Sequence, residues 1–338
     1  MKTRHWIALF MALAATTAIA AIIYMSQKFE NEVAVRVNIP REATAESVRD
    51  SIYKSLGEDY GSTVYRLWNL ASGDPTRSHG SYLVEPGASA LKTANAIYKG
   101  HQTPVRVVLN NMRTLDDLAR RLSLKTEASA ADFKAAVKKV LTDNSGYTRP
   151  EEFVAAFIPD TYEFYWTDEP EEIIKKLVSE RDSFWTEERL LKAARLGLTP
   201  VEVATVASIV EEESNKADEH PIIARLYINR LKRGIKLQAD PTVKYALGNF
   251  ALRRIGGKML SVDSPYNTYK VKGLPPGPIR IPRRATIDAV LDAPEHDYIF
   301  MCAKSDFSGR HDFAVDAKTH LANARRYQAQ LNKRGIRR

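Results

Sequence analysis

The sequence contains almost no cysteine, since Cys302 is the only one among its 338 residues. A single thiol cannot form an internal disulfide or supply the thiolate cluster of a zinc site. A Gly-rich phosphate loop after a strand, a Gly-x-Ser-x-Gly elbow and a His-Glu-x-x-His helix are missing too. These absences argue against a disulfide framework, a phosphate-loop protein and the common hydrolase motifs. Cys302 lies in "YIFMCA", for which we predict a buried strand with cysteine as a small core residue.

Long apolar runs are also scarce, and the single one lies near the N-terminus. Lys2 and Arg4 precede an uncharged stretch over residues 6–26. As a helix this stretch would be about 30 Å long, which is enough to cross a bilayer. Because positive residues stay on the cytoplasmic side, we predict that residues 1–5 are cytoplasmic, 6–26 form a transmembrane helix and the body lies outside.

A cleaved signal peptide is the alternative for this segment, with Ala18-Ile19-Ala20 as the cleavage box. The apolar run continues past this box through Met25, which favours an uncleaved anchor. Both alternatives export the rest of the chain, so nucleic acid is disfavoured as a partner. The formal net charge of +9 then suits an anionic phospholipid surface or an acidic cell-wall polymer.

Strand and helix patterns follow one another behind the apolar run and predict an α+β fold. A small α+β module spans residues 32–103, and a connecting strand-helix module spans residues 104–156. Val105–Leu109 is the strand of the connecting module, and Thr114 caps its helix. Phe157–Trp166 is dense in aromatic residues and contains a proline, so we expect a cleft wall or a packing loop rather than a central strand.

A helical hairpin is predicted in the second half of the chain. Thr199-Pro200-Val201-Glu202 has the form of a capping box with proline at the first helical position, which marks a helix start. Pro221 opens a second helix that stops at Gly234. Between them lies the polar turn "SNKADEH". The hairpin carries three consecutive glutamates, Glu211 to Glu213, at the end of its first arm.

The three glutamates differ in helical phase. At 100° per residue the apolar stripe of the first arm leaves Glu212 on the opposite side, with Glu211 and Glu213 on the two flanks. Glu213 has the more apolar neighbours, because Val206 and Ile209 precede it by two turns and one turn. A carboxyl group beside apolar side chains has a raised pKa and could act as a general acid. Periodicity alone leaves open that all three are simply solvated.

Four residues near the C-terminus are of types that bind metals. His311, Asp312, Asp316 and His320 lie close in the sequence, but a strand and a turn separate them, which disfavours a shared metal ion. We therefore predict no metal. The basic residues around Lys232 are most simply a solvated face.

Three long motifs, "ASIVEEES", "INRLKRGIKLQADPTVKYALG" and "YNTYKVKGLPPGPI", follow one another between Val201 and His320. With "PDTY" upstream, they closely resemble the endolytic murein transglycosylases of the MltG (YceG-like) family. The family pattern Glu-x-Glu-Thr has its catalytic acid at the second glutamate, which implies Glu213 here. Glu212 stands where the family often has lysine, and Ser214 replaces threonine.

The same resemblance implies residues that line a glycan cleft. These residues lie in the runs "QADPT" and "YNTY". Asp240-Pro241 could equally be only a turn. The implied residues are Gln238, Asp240, Thr242, Tyr266, Asn267, Thr268 and Tyr269. The resemblance also implies that residues 157–338 form the catalytic domain and that 32–103 form a LysM-like module. A spacer that holds the active site away from the membrane is an equally good interpretation of that module.

The resemblance implies a lytic transglycosylase without a cofactor. It would cleave the β-1,4 bond between N-acetylmuramic acid (MurNAc) and N-acetylglucosamine (GlcNAc) in nascent peptidoglycan, leaving 1,6-anhydro-MurNAc ends. Its partners would be glycan strands and peptidoglycan synthases at the bacterial inner membrane. The alternative is a non-catalytic, membrane-anchored peptidoglycan-binding or scaffold protein, and a lyase for a soluble metabolite is a remoter option.

Overall fold

The computed structural model of the chain describes residues 2–143, 147–252 and 255–334. The chain divides into two compact units, and it passes between them several times. The first unit comprises Met1–Val107, Leu122–Ser129 and Tyr162–Glu169, and the second comprises Val108–Arg121, Ala130–Thr161 and Pro170–Arg338. The precise limits of the predicted modules at 32–103, 104–156 and 157–338 stay predictions.

The described residues form a helix-rich α+β structure, as predicted. The α-helices are α1 Lys2–Met25, α2 Ala45–Leu56, α3 Glu58–Leu70, α4 Pro75–Ser78, α5 Ala90–Tyr98, α6 Leu115–Ser123, α7 Ala130–Thr142, α8 Pro170–Phe184, α9 Glu187–Leu196, α10 Pro200–Glu213, α11 His220–Lys232, α12 Asp240–Ala246, α13 Arg284–Leu291 and α14 Ala317–Lys333. The strands are β1 Val35–Ile39, β2 Gly80–Val84, β3 Val105–Leu109, β4 Asp160–Phe164, β5 Phe300–Ala303 and β6 His311–Ala314, paired as β1-β2, β3-β4 and β5-β6.

Helix α1 contains the predicted membrane segment. His5–Met25 forms 21 residues with a mean hydropathy of 2.3, and none of this segment is buried in the protein. An apolar helix of this length matches the thickness of a bilayer core, and water is a poor environment for its surface. The helix is consistent with a membrane anchor.

The first unit packs helices α2, α3 and α5 and an antiparallel strand pair around one core. β1 and β2 are antiparallel, with register from Val35 opposite Val84 to Ile39 opposite Gly80. Thr44 caps α2, because its side chain accepts a hydrogen bond from the backbone N–H of Ser47. The apolar residues of α2 at helical spacing are buried in this core.

Helix α10 is the centre of the second unit. Its capping box is formed by Thr199 and Glu202, as predicted. The predicted amphipathic pattern is wrong, however, because every residue from Val203 to Glu211 is buried. Helices α11, α12 and α13 all pack against α10, so it has no solvated face along most of its length.

Three local predictions need correction. Asp240-Pro241 opens helix α12 rather than a loop or an isolated turn, with proline in the first helical turn. Asp160–Phe164 forms strand β4, which pairs with β3, rather than a loop. Pro159 lies just before the strand, where its missing N–H costs no hydrogen bond between strands. Strand β5 contains Cys302 as predicted, but all four of its residues are only partly buried.

Gly277 allows the loop that follows the "YNTY" run to approach another backbone segment of the second unit closely. A Cβ atom at Gly277 would lie 2.0 Å from the carbonyl oxygen of Glu151. Two residues later the backbone N–H of Ile279 donates to the Ser208 hydroxyl of α10 at 3.0 Å. The close backbone approach at Gly277 therefore helps to seat this loop on α10.

We predict that Gly277→Ala destabilises the protein by about 1–3 kcal/mol, because overpacking against backbone must displace one of the two segments. Gly256→Ala is the matched control, since Gly256 has an extended φ of 179° and no atom within 4 Å of an added Cβ. Thermal unfolding of both variants checks the prediction. Equal melting temperatures for the two would contradict it.

Candidate active site

A cavity of about 410 Å³ opens on the second unit and combines polar and apolar walls. This volume falls in the range of small-molecule sites. Its lining residues are Glu213 from α10; Leu226, Tyr227 and Arg230 from α11; Leu237, Gln238, Asp240 and Tyr269 from the following loops and α12; Phe300, Met301, Cys302 and Ala303 from β5; His311 from β6; and His320 from α14. The cavity thus gathers side chains from a long stretch of sequence.

Glu211, the first of the three glutamates, is buried and neutralised by arginine. Its carboxylate pairs with Arg280 at 3.0 Å and with the Arg283 side chain at 3.2 Å. It also accepts hydrogen bonds from the backbone N–H of Arg283 and the hydroxyl of Thr286, both at 2.9 Å. Glu211 therefore fixes the N-terminus of α13 to the end of α10, where an anion is favoured by the helix dipole.

Glu212 is paired as well, so the prediction that it points outward as a solvated charge is wrong. Arg113 donates to its carboxylate at 2.9 Å, and Arg280 at 2.7 Å. Its side chain is 18% exposed, and that of Arg280 is 11% exposed. Arg280 thus bridges Glu211 and Glu212, and both carboxylates have cationic partners.

Glu213 has no such partner among the described residues, and it faces the cavity. The Tyr227 hydroxyl donates to its Oε1 atom at 2.6 Å. Burial raises the pKa of Glu213 to about 7, and the charge of Asp240 adds to this, whereas the Tyr227 hydrogen bond and Lys244 oppose it. The carboxyl group is therefore close to half-protonated at neutral pH, and the possibility of three solvated glutamates is excluded.

The Tyr227 hydrogen bond also orients the acid. Burial and the neighbouring Glu213 raise the pKa of Tyr227 well above its ordinary value, so its hydroxyl stays protonated and remains a donor. Since Oε1 accepts this hydrogen bond, Oε2 is the oxygen that can carry the acid proton. The geometry is that of a general acid with a defined donor atom.

Three of the predicted cleft residues line the same cavity as Glu213. Gln238 has a φ of +52° and is held by a hydrogen bond from Arg230 Nη2 to its Oε1 at 2.6 Å. The Asp240 carboxylate accepts a hydrogen bond from the Tyr269 hydroxyl at 2.6 Å. These side chains have fixed orientations beside Glu213.

The other four predicted cleft residues lie behind the cavity wall. Thr242 and Thr268 are buried and share a hydrogen bond of 2.9 Å, and Thr268 also accepts from the backbone of Ala239. Asn267 is fully buried and donates to the backbone of two loop residues. Tyr266 is buried with its ring 4.6 Å from that of Tyr245. They hold the wall in shape, and a direct glycan contact for them stays a prediction.

The four residues of metal-binding type are only partly brought together. His311 and His320 both line the cavity. Asp316 instead caps α14 by accepting from the backbone of Thr319, and Asp312 faces Arg326 at 3.8 Å. In the described ranges no three His, Cys, Asp or Glu side chains are grouped as metal ligands.

The "PDTY" segment lines a second cavity, of about 540 Å³, in the same unit. Pro159, Asp160 and Thr161 form part of its wall, and Glu211 and Arg280 form another part. These three lining residues are not aromatic, and a part for the segment in a glycan cleft stays a prediction. Glu213 belongs to the lining of the other cavity.

Tyr227 and Arg230 are site residues that motif analysis of the sequence does not identify. They lie one helical turn apart on α11, so they share a face, and that face meets Glu213 and Gln238. The sequence signals are a polar pair on one face of the helix and, for Arg230, its place in the motif "INRLKRGIKLQADPTVKYALG". Finding their partners requires the tertiary structure.

Fold and site together define a helix-rich α+β protein that holds an oriented carboxylic acid in a polar cavity. The sequence model of the YceG-like family matches residues 37–326, so the chain belongs to this family. A crystal structure of a YceG-like protein from Listeria monocytogenes aligns with a TM-score of 0.58 at 25% identity, covering 86% of this chain and 99% of that one.

Two curated relatives are named endolytic murein transglycosylase. The Bacillus subtilis protein is 37% identical over 178 residues, which are 52% of this chain and 48% of that protein. The Streptococcus pneumoniae protein is 33% identical over 140 residues, which are 40% of this chain and 25% of that protein. The chain therefore spans about half or less of the length of these relatives.

We predict that Glu213→Gln and Glu211→Gln change stability in opposite directions at pH 8. In wild-type protein the folded pKa of Glu213 is about 7 and the unfolded value about 4.3, so the folded state binds more protons between them. The free energy of unfolding therefore falls as pH rises through this window, by up to about 4 kcal/mol. Glu213→Gln removes that loss and keeps an acceptor for Tyr227.

Glu211→Gln instead leaves the largely buried Arg280 without its full counter-charge, which costs about 3 kcal/mol. Thermal unfolding at pH 5 and pH 8 measures both effects. The gain from Glu213→Gln over wild type should be larger at pH 8 than at pH 5. A gain that does not depend on pH would contradict the raised pKa of Glu213.

Proposed function

We propose that this chain is an endolytic lytic transglycosylase of peptidoglycan. It would cleave the β-1,4 bond between MurNAc and GlcNAc inside nascent strands, leave 1,6-anhydro-MurNAc ends and so end strand elongation. The observation that carries the proposal is Glu213, a carboxylic acid with a pKa near 7 whose Oε1 is fixed by Tyr227 and whose Oε2 is free to donate. Membership of the YceG-like family and the names of its curated relatives support the same substrate.

In the first step, Glu213 Oε2 donates its proton to the glycosidic oxygen, and the bond from that oxygen to the muramic C1 atom breaks. Positive charge develops at C1 as in an oxocarbenium ion. The leaving GlcNAc end departs as a neutral hydroxyl. The Asp240 carboxylate, which Tyr269 holds in the same cavity, would stabilise this positive charge.

In the second step, the 6-hydroxyl of the same muramic sugar attacks C1 and closes the 1,6-anhydro ring. The Glu213 carboxylate takes the proton of that hydroxyl and returns to its acid form. Because the nucleophile belongs to the substrate, no side chain has to activate a water molecule. One carboxyl group whose pKa is near neutral can serve both steps.

Membrane attachment extends the proposal to the cell. Helix α1 would anchor the chain in the bacterial inner membrane, with residues 1–5 in the cytoplasm and the second unit outside. There the chain would meet glycan strands and peptidoglycan synthases. The LysM-like character of residues 32–103 and a contribution of that module to glycan binding belong to the same proposal.

We predict that Glu213→Gln lowers the rate of anhydro-muropeptide release by about 10²–10⁴-fold, because the general acid is lost. The assay incubates the full chain in detergent with un-crosslinked glycan strands and identifies product ends by mass spectrometry. Glu180→Gln is the control, since Glu180 is an exposed carboxylate on α8. Release at the wild-type rate by Glu213→Gln would refute the assignment. Strand binding without product in wild type would instead favour the non-catalytic scaffold.

We predict that kcat/KM falls above a pH of about 7, tenfold per pH unit, as Glu213 loses the proton that it must donate. The Tyr227 hydrogen bond lowers the pKa of Glu213. Tyr227→Phe should therefore raise this pKa and move the alkaline limb to higher pH. A pH–rate profile of both proteins tests this, and a limb that stays in place or moves to lower pH in Tyr227→Phe would contradict it.

A further inference from the structure

His311 is a further oriented polar group in the cavity. Its Nδ1 atom lies 3.1 Å from Glu219 Oε2, and its backbone N–H donates to Glu219 Oε1 at 2.8 Å. Glu219 is only 4% exposed. A buried carboxylate therefore grips β6 through both the backbone and the ring of one residue that lines the cavity.

The pairing with Glu219 determines which nitrogen of His311 carries the proton. Burial raises the pKa of Glu219, but the hydrogen bonds from His311 and Ser214 outweigh it and hold that pKa below its ordinary value. An ionised carboxylate can only accept hydrogen bonds, so Nδ1 of His311 must be the donor. In the neutral ring Nε2 then has a free lone pair. Within the described part of the chain, Nε2 makes no hydrogen bond.

Glu219 also connects His311 to the residue next to the acid. The Ser214 hydroxyl donates to Glu219 Oε2 at 2.9 Å, and Ser214 is the residue that ends α10 directly after Glu213. One buried carboxylate thus holds the end of α10 and strand β6 in a common frame. This arrangement fixes the positions of Glu213 and His311 relative to one another at the cavity wall.

We propose that His311 is a substrate-binding residue whose Nε2 accepts a hydrogen bond from a hydroxyl or acetamido N–H of an amino sugar in the cavity. Glu219 is its positioning residue, because it selects the tautomer that leaves Nε2 as an acceptor. The identity of the sugar in this inference rests on the proposed function. The tautomer of His311 follows from the hydrogen bonds alone.

His296 is an internal reference for the tautomer. Its Nδ1 accepts a hydrogen bond from the backbone of Tyr298 at 3.1 Å, and its Nε2 lies 3.0 Å from the carbonyl oxygen of Ile222. His296 must therefore carry its proton on Nε2, opposite to His311. The two residues should give opposite patterns of ring ¹⁵N chemical shifts.

The first experiment records ring ¹⁵N spectra of histidine-labelled full-length Glu213→Gln protein in detergent, with His311→Asn to assign the signal. We expect His311 to carry its proton on Nδ1 and His296 on Nε2. Addition of a GlcNAc–MurNAc tetrasaccharide should shift His311 Nε2 upfield, as expected for a nitrogen that accepts a hydrogen bond, and leave His296 unchanged. A proton on Nε2 of His311, or no shift at saturating tetrasaccharide, would overturn the inference.

The second experiment compares His311→Asn with His311→Gln in the cleavage assay. Asparagine can still donate to Glu219 from the position of Nδ1 but lacks an atom at the position of Nε2, whereas glutamine can reach that position. We expect KM to rise about tenfold in His311→Asn with kcat within about twofold of wild type, and His311→Gln to recover most of the loss. Equal KM values for wild type and both variants, or a loss in kcat alone, would contradict substrate binding.

The two experiments separate this inference from the proposed function. If wild-type protein releases no anhydro product, the proposed function fails, while the ¹⁵N shift still tests the contact with the sugar. If wild type cleaves strands but His311→Asn cleaves them with unchanged KM, the inference fails and the function stands. Melting temperatures of the His311 variants confirm that the comparison is made on folded protein.

Discussion

The structure depends on how three consecutive carboxyl groups are accommodated at the end of one buried helix. Each ionised carboxylate in a low-dielectric region needs a partner, and neighbouring negative charges raise one another's cost. Arg280 bridges Glu211 and Glu212, with Arg283 and Arg113 completing their neutralisation. Glu213 receives a tyrosine hydroxyl instead of a cation. Burial therefore raises the pKa of Glu213 to about 7, and the hydrogen bond from Tyr227 offsets only part of that rise.

The different partners of the three glutamates matter because helix α10 is buried. Helices α11, α12 and α13 cover α10 on different sides, so the chain emerges from the core only at its last turn. There Glu211 faces α13, whereas Glu213 faces α11 and the cavity. The polar groups of the wall are in turn held in place. Arg230, itself a lining residue, fixes Gln238, and Thr268 fixes the backbone before α12. A rigid wall keeps the acid from finding another partner.

The sequence predicts the parts of this arrangement that depend on local chemistry. Thr114 and the Thr199–Glu202 box mark helix starts correctly, because a cap needs only residues within one turn. Helical phase also identifies Glu213 as the glutamate with an unusual environment. Phase alone fails for Glu212, which is paired through Arg113, 99 residues away in sequence. Tyr227, Arg230 and the Glu219–His311 pair escape prediction for the same reason, since their partners come from distant segments.

The predicted cleft residues have two different roles, as a binding site requires: some line the cavity and others support its wall. Gln238, Asp240 and Tyr269 present polar atoms to the cavity, but each can do so only because buried neighbours satisfy the backbone around it. Thr242, Asn267 and Thr268 supply those hydrogen bonds from behind the wall. The predicted cleft residues, which the sequence does not distinguish from one another, therefore form two layers in the structure. The outer layer can contact a sugar, and the inner layer determines where the outer one points.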